Sequence, residues 1–183
     1  MSDDLSRHFG ALSPEMTLLG LLFGGPMHGY DMHRKVISDL GQVWHLSQSQ
    51  AYSILKRLEK KGEISIEEIH QEKLPSRQMM HMTTQGHERF LSWLDTPTGG
   101  SVRAIRMEFV TRLYFLHQYM PDNIPQAFEK QRQEVTNNLR RLENKCTELP
   151  KEQIYNRLSL EMRMRELKTV LEWLEDYQAD NFT

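Results

Sequence analysis

The chain of 183 residues lacks the features that define several large classes of protein. Its single cysteine, Cys146, excludes an internal disulfide and a cysteine-rich zinc site. No apolar run reaches the roughly 18 residues that a membrane-spanning helix needs, since the longest, residues 16–23, is far shorter. We therefore expect a protein without a membrane span, in a reducing cytoplasm.

The chain also lacks an excess of charge of either sign. Its 23 basic and 25 acidic residues give a formal net charge of −2, which argues against a protein that coats nucleic acid without sequence preference. A neutral total still permits a small basic surface. Residues 47–62 contain four basic residues and one acidic residue, which gives this segment a local charge of +3.

Catalytic and metal-binding motifs are missing as well. The sequence has no glycine-rich phosphate loop and no Gly-x-Ser-x-Gly nucleophile motif. Eight histidines are present, but His28 and His33 are five residues apart, which does not align them on a helix, and no His-x3-His pair occurs. We therefore expect no catalytic residues, no metal site and no cofactor.

The apolar pattern predicts a mainly α fold with one small β-hairpin. Helices are predicted over residues 16–23, 28–40 and 47–61, and each is followed by glycine. Residues 64–82 then alternate, which predicts a hairpin with its turn around Pro75. A fourth helix follows, and residues 95–100 form the clearest linker. Three helices and a hairpin are the order of a winged helix-turn-helix domain, which we place in residues 1–96.

The third predicted helix separates an apolar side from a polar side. At 100° per residue, Ala51, Ile54, Leu55 and Leu58 form one stripe, which we expect to be buried. The polar side suits the major groove of DNA, because amides and hydroxyls can recognise base edges and cations neutralise phosphates. The predicted DNA-binding residues of this helix are Ser47, Gln48, Ser49, Gln50, Tyr52, Ser53, Lys56, Arg57 and Lys60.

Residues 101–183 are predicted to form a C-terminal helical dimerisation domain. Apolar residues recur there at spacings of three and four, with charged residues between them, as in a heptad repeat. The last predicted helix starts at Pro150 and is too long to bury its stripe against one short partner, so we expect it to pair with a second copy. The predicted dimer interface consists of Leu160, Met164, Leu167, Leu171 and Leu174. A helical bundle within one chain is the alternative.

Eleven methionines and three tryptophans suggest a small-molecule site. Methionine packs adaptably against varied shapes. Trp44, Trp93 and Trp173 could line a pocket for a small aromatic ligand, although packing in the core is the alternative for each of them. The sequence does not identify such an effector.

Residues 18–93 resemble the PadR family of bacterial transcriptional regulators. The resemblance rests on His-Gly-Tyr-Asp-Met at 28–32, on residues 47–58 with Gly62, on Pro-Ser-Arg at 75–77 and on Met-Thr-Thr-Gln-Gly at 82–86. Ile-Arg-Met-Glu-Phe at 105–109 is similar to the longer subgroup, which has a helical C-terminal domain of the virulence-activator type. The resemblance implies a homodimer on an inverted-repeat operator, with Tyr52, Lys56 and Arg77 at matching contact positions.

These observations predict a dimeric transcription regulator that binds double-stranded DNA in a sequence-specific manner. Its control by a small-molecule effector is part of this hypothesis. The alternative is a helical interaction module that uses its winged helix to dock on another protein. The net charge and the acidic residues Glu67, Glu68 and Glu72 favour the alternative, whereas the local charge of +3 favours DNA.

Overall fold

A computed structural model describes residues 12–71, 74–99 and 101–177, without the side chains of residues 70, 71 and 74–77. Residues 72 and 73 and the side chain of Arg77, which the sequence predicts to bind DNA, lie outside the described part of the chain. The chain divides into two compact units, and the division falls between Asp95 and Thr96.

The first unit, in its described part, contains four helices and a three-stranded antiparallel sheet. The central strand of the sheet is β3, with β1 on one side and β2 on the other. The predicted order of three helices, a hairpin and a fourth helix is confirmed. The elements are α1 (Glu15–Phe23), β1 (Met27–His28), α2 (Gly29–Leu40), α3 (Gln48–Lys60), β2 (Ile64–Gln71), β3 (Leu74–Met82) and α4 (Thr84–Asp95).

The hairpin extends further towards its tip than the sequence pattern predicted. Strands β2 and β3 pair from Ile64 opposite Met82, and an irregularity precedes the last pair, Gln71 opposite Leu74. Pro75 therefore lies within β3 rather than in a turn. Proline is tolerated at this place because it is close to the start of the strand and to an irregularity of the ladder.

Helix α1 forms the centre of the core of this unit. Leu18, Leu19, Leu21 and Leu22 are all buried, and the helix packs against α2, α3, α4 and β3. A helix that is apolar on every side is typical of such a central position. Each fully buried leucine contributes about 1.5–3 kcal/mol, so α1 supplies a large part of the hydrophobic stabilisation of this unit.

Gly62 ends α3 and turns the chain into β2. Its φ is 72°, in the left-handed region where residues with a Cβ atom are strained. The Glu63 amide donates to the Leu58 carbonyl at 2.9 Å, and the Thr83 hydroxyl donates to the Gly62 carbonyl at 2.7 Å. The prediction that Gly62 ends this helix is therefore confirmed. Its hydrogen bond with Thr83 also links the end of α3 to the start of α4.

The second unit is helical in its described residues. A π-helical stretch, Ile105–Phe109, joins α5 to α6, and a 3-10 turn, Pro121–Asn123, precedes α7. The last helix begins at Ile154 rather than at Pro150, because the Gln153 amide bonds to the Pro150 carbonyl in a separate turn. The α-helices are α5 (Val102–Ala104), α6 (Val110–Tyr119), α7 (Ile124–Glu148) and α8 (Ile154–Asp176).

Helix α8 buries its leucine stripe within its own chain. Leu160, Leu167 and Leu174 are almost completely buried, and α8 packs along α7. Met164 and Leu171 are partly buried. Leu160, Leu167 and Leu174 therefore pack within one chain, which is the alternative named above, and they are not free to form the predicted dimer interface. The roles of Met164 and Leu171 in a dimer stay predictions.

The predicted linker forms hydrogen bonds with the second unit at Thr98. Gln131 accepts a hydrogen bond from the Thr98 amide at 2.8 Å and donates one to the Thr98 carbonyl at 2.9 Å. Arg112 donates to the Thr98 hydroxyl at 2.9 Å. All three residues are buried, so these bonds satisfy polar groups that water cannot reach. The last part of the linker therefore belongs structurally to the helical unit.

Candidate nucleic-acid interface

Helix α3 begins with a capping box. The Ser47 hydroxyl accepts a hydrogen bond from the Gln50 amide at 3.3 Å, and the Gln50 side-chain oxygen accepts one from the Ser47 amide at 2.9 Å. Amides in the first turn of a helix have no partner within the helix, and the two side chains supply one for each. The start of α3 is therefore determined by its own sequence.

The apolar side of α3 faces the core, as predicted. Ala51, Ile54, Leu55 and Leu58 are buried, and α3 packs against α1 and α2. The opposite side is polar and open to solvent, as the 3.6-residue period of an amphipathic helix requires. Ser49, Ser53, Lys56, Arg57 and Lys60 are exposed on this side, and Gln48, Gln50 and the acid Glu59 are exposed at its edges.

Four of the amide, hydroxyl and cationic side chains have no partner within the described part of the chain, namely Gln48, Ser53, Lys56 and Lys60. One amide, one hydroxyl and two ammonium groups are therefore available to a ligand. Amides and hydroxyls can recognise base edges, and ammonium groups bind phosphates. The two lysines follow the amide and the hydroxyl along α3, which suits a helix that enters a groove by its N-terminal end.

Gln50 is more restricted than its predicted role assumed. Because its side-chain oxygen is bonded to the Ser47 amide, only its NH₂ group can reach a base while the capping box is closed. Pairing with adenine through both groups would require the box to open. The Ser49 hydroxyl lies 3.1 Å from that of Ser47. The DNA-binding roles of these three residues stay predictions.

Tyr52 lies at the edge of the exposed side and is partly buried. It lines a cleft of about 580 Å³ together with His28, Tyr30 and Asp31 at the start of α2 and with Gln78 of β3. The His28 ring bonds to the Gln78 carbonyl at 2.9 Å, which joins β1 to β3 beside this cleft. Tyr52 is therefore placed between α3, α2 and the sheet.

Arg57 contacts a residue that the sequence analysis missed. Its Nε lies 3.2 Å from a carboxylate oxygen of Glu15 in α1. Lys61 and Arg89 also contact this carboxylate, at 3.1 and 2.8 Å. One indication was present in the sequence, since Glu15 is the only charged residue in the otherwise apolar helix α1. We name Glu15, Arg57, Lys61 and Arg89 the Glu15 cluster.

The surroundings of Glu15 keep its carboxylate charged. Burial by itself raises the pKa of Glu15, but the hydrogen bonds and positive charges of Arg89 and Lys61 outweigh burial, so the pKa lies below its ordinary value. The folded state binds the proton more weakly than the unfolded state. The resulting stabilisation is complete above the ordinary pKa of glutamate and is lost as the pH falls through the lowered value.

The hairpin beside α3 carries acids as well as the predicted contact residue Arg77. The Arg77 backbone pairs with Ile69 in the sheet. The carboxylate of Glu67 in β2 lies 2.9 Å from the His81 ring in β3. One of the exposed acids of β2 therefore has a partner within the hairpin.

The structure also bears on the metal, membrane and aromatic features of the sequence. Across residues 12–71, 74–99 and 101–177, no cluster of His, Cys, Asp or Glu is placed to hold a metal ion, and no helix among them is long and apolar enough to cross a membrane.

Trp44 is buried, Trp93 stacks on Phe90 at 5.9 Å, and Trp173 lies 6.3 Å from Phe109. The three tryptophans therefore pack within their own units.

The first unit is a winged helix-turn-helix domain with its third helix exposed. Comparison with known protein families assigns both parts of the chain. Residues 18–92 match the transcriptional regulator PadR-like family, and residues 105–180 match the virulence activator alpha C-terminal domain. The chain therefore belongs to the PadR-like transcriptional regulators, in the longer form, and the resemblance seen in the sequence is confirmed.

Among curated proteins, the chain is similar to the negative transcriptional regulator PadR of Bacillus subtilis, with 31% identity over 102 residues, 55% of this chain and 54% of that protein. It thus spans about half the length of this relative. Among solved structures, it is similar to Bacillus subtilis PadR in complex with operator DNA, with 24% identity, coverage of 92% and 98% of the two chains and a TM-score of 0.46. The structure of the same regulator with p-coumaric acid has 25% identity, coverage of 89% and 92% and a TM-score of 0.40.

Proposed function

We propose that the protein is a sequence-specific transcription regulator that binds double-stranded DNA as a homodimer, on an operator with two inverted half-sites. The exposed side of α3 is the observation that carries this proposal. It presents a hydroxyl and two lysines opposite the buried stripe of the same helix, with the exposed amide of Gln48 in the first turn. Such a regulator acts in the bacterial cytoplasm, where the chromosome lies, and needs no catalytic residue.

A homodimer follows from the length of DNA that one α3 can recognise. One recognition helix reaches about half of an operator, and a two-fold axis places a second copy about one helical turn further along. Helix α8 has a surface for such a partner, because Ile154, Leu158 and Met162 recur every four residues and are exposed with Tyr155 beside them. We name these four residues the α8 ridge and propose that a second copy covers it.

Replacing Lys56 or Lys60 by alanine is expected to reduce the salt dependence of DNA binding. Each lysine that neutralises a phosphate releases about one counterion, so the slope of log affinity against log salt concentration should become smaller by about one for each variant. The measurement is a titration by fluorescence anisotropy at several salt concentrations. The probe is a duplex that the wild-type protein selects from a random-sequence library.

Lys145→Ala is the matched control, because Lys145 is exposed on α7 and lies outside the proposed interface. Its slope should equal that of the wild-type protein. The selected duplexes should contain two inverted half-sites. If the wild-type protein selects no sequence and its binding to duplexes does not depend on salt, the DNA-binding proposal is wrong, and docking on another protein becomes the better explanation of the winged helix.

We further propose that a small aromatic acid controls the regulator by binding to it. The helical unit contains one aromatic cluster, in which Phe109 and Phe128 are buried while Trp173 is partly exposed and Tyr177 is exposed, so a ligand would contact it from the side of Trp173 and Tyr177. With p-coumaric acid as the probe, we expect a rise in the melting temperature and a loss of affinity for the selected duplex. Cyclohexane carboxylic acid, which lacks the aromatic ring, is the control. Equal effects of the two acids, or no effect of either, would contradict an aromatic effector.

A further inference from the structure

The Glu15 cluster joins α1 to the end of the recognition helix. The carboxylate of Glu15 is only 12% exposed, and it contacts Arg57 and Lys61 near the end of α3 and Arg89 in α4. A buried carboxylate without partners would be costly, so these cations are required for Glu15 to occupy its place. This one carboxylate is therefore a shared contact of three cationic side chains from two helices.

The same cluster reaches the base of the hairpin. Arg89 also pairs with Glu63, a buried residue between Gly62 and the start of β2. The backbone of Glu63 is bonded to both neighbouring elements, because its amide donates to the Leu58 carbonyl at 2.9 Å and its carbonyl accepts from the Thr83 amide at 3.1 Å. The end of α3 and the beginning of the hairpin are thus connected through two buried acids and one arginine.

Arg57 is the member of the cluster that lies closest to the exposed side of α3. It lies about 60° around the helix from Lys60, and its side chain is 53% exposed. Its contact with Glu15 is made through Nε, and within the described part of the chain its two terminal nitrogens have no partner. These two nitrogens form the end of the guanidinium fork, which can bind a phosphate with two hydrogen bonds.

We propose that Glu15 is a positioning residue for DNA binding, which holds Arg57 at the edge of the exposed side of α3 so that its terminal nitrogens bind a backbone phosphate. This inference rests on the proposed function. Glu15 itself does not contact DNA in this arrangement. Its contribution is to fix, in the free protein, a side chain that would otherwise lose conformational freedom on binding.

The variant Glu15→Gln tests the proposal by the direction in which it changes the affinity for DNA. Glutamine has nearly the same shape but attracts Arg57 less, so we expect the affinity for the selected duplex to fall about tenfold and the salt slope to become smaller by about one. A purely electrostatic role predicts the opposite, because removal of an acid near DNA reduces repulsion of the phosphates. Affinities are measured well below the melting temperature of each variant, with the active fraction determined by stoichiometric titration.

Glu59→Gln is the matched control, because Glu59 is an exposed acid on α3 outside the cluster. It removes the same charge, and we expect its affinity to equal or exceed that of the wild-type protein. A double-mutant cycle then tests whether Glu15 acts through Arg57. In the background of Arg57→Gln, the change Glu15→Gln should cause no further loss of affinity.

Arg57→Lys provides a second test that does not alter a buried residue. Lysine keeps the positive charge, but its single ammonium group cannot contact Glu15 and also bind a phosphate with two parallel hydrogen bonds. We therefore expect a loss of affinity for the selected duplex similar to that of Glu15→Gln. Wild-type affinity for Arg57→Lys, tighter binding by Glu15→Gln, or additive effects in the cycle would each overturn the proposal. If the wild-type protein itself binds no duplex, the proposed function fails, whereas binding that is unaffected by Glu15→Gln defeats this inference alone.

Discussion

The variant Gly86→Ala is expected to lower the free energy of unfolding by about 3 kcal/mol or more. In most helices the same change stabilises by about 1 kcal/mol, because alanine has the higher helix propensity. At this position a Cβ atom would lie 2.1 Å from the carbonyl oxygen of Glu63 and 3.2 Å from the Leu19 side chain. The first contact is with backbone, which cannot rotate away.

The backbone near Gly86 has little freedom to move aside. The Thr83 hydroxyl accepts from the Gly86 amide at 3.2 Å and donates to the Gly62 carbonyl at 2.7 Å, while the Glu63 carbonyl accepts from the Thr83 amide. A shift that relieves the clash would lengthen at least one of these bonds. It would also displace Glu63, which pairs with Arg89 of the Glu15 cluster.

Unfolding in urea, followed by circular dichroism, measures this effect. Gln85→Ala is the control, because Gln85 is exposed on the same turn of α4 and its change should alter the free energy of unfolding by less than about 0.5 kcal/mol. A Gly86→Ala protein as stable as the wild type would show that α4 can move away from Glu63, and the close approach of these two segments would then have no structural importance.

Helix α3 could be predicted from sequence because all of its determinants are local. Its start follows from Ser47 and Gln50, three residues apart, and its end from Gly62. The buried stripe follows from the period of the helix alone. No distant residue is needed to decide which side of α3 faces solvent, so the exposed side was also predicted correctly.

The Glu15 cluster could not be predicted because its members are distant in sequence. Residues 15, 57 and 89 come together only after α1, α3 and α4 have packed, and no spacing rule connects them. The pattern of α3 alone therefore indicated DNA as the partner of Arg57. The structure adds that Arg57 also has a partner within its own unit.

Three of the predicted dimer residues could not be assigned from the sequence for a different physical reason. A repeat of Leu160, Leu167 and Leu174 has the same appearance in a sequence whether α7 or a second chain covers it. Burial distinguishes the two cases, because a stripe that is already covered cannot lie on the surface of a dimer. What stays exposed on α8 is the ridge that begins at Ile154, and its apolar side chains are the ones that a partner would cover.

The variant Leu158→Asp is expected to separate the proposed dimer into single chains. Leu158 is 55% exposed and Tyr155 is 86% exposed, so a partner would cover much apolar surface around them. Two-fold symmetry removes the leucine from both copies, which costs about 3–6 kcal/mol if each is fully buried. This corresponds to an increase of about two to four orders of magnitude in the dimer dissociation constant.

Light scattering and DNA binding together test this prediction. The wild-type protein should give twice the chain mass of 21.7 kDa, whereas Leu158→Asp should give the chain mass itself and bind only single half-sites. Asn156→Asp is the control, because it introduces a carboxylate at an exposed position of the same helix that points about 160° away from Leu158. If Leu158→Asp stays dimeric, the α8 ridge is not the dimer interface. If the wild-type protein is a single chain in solution, two copies can bind the two half-sites only by assembling on the DNA.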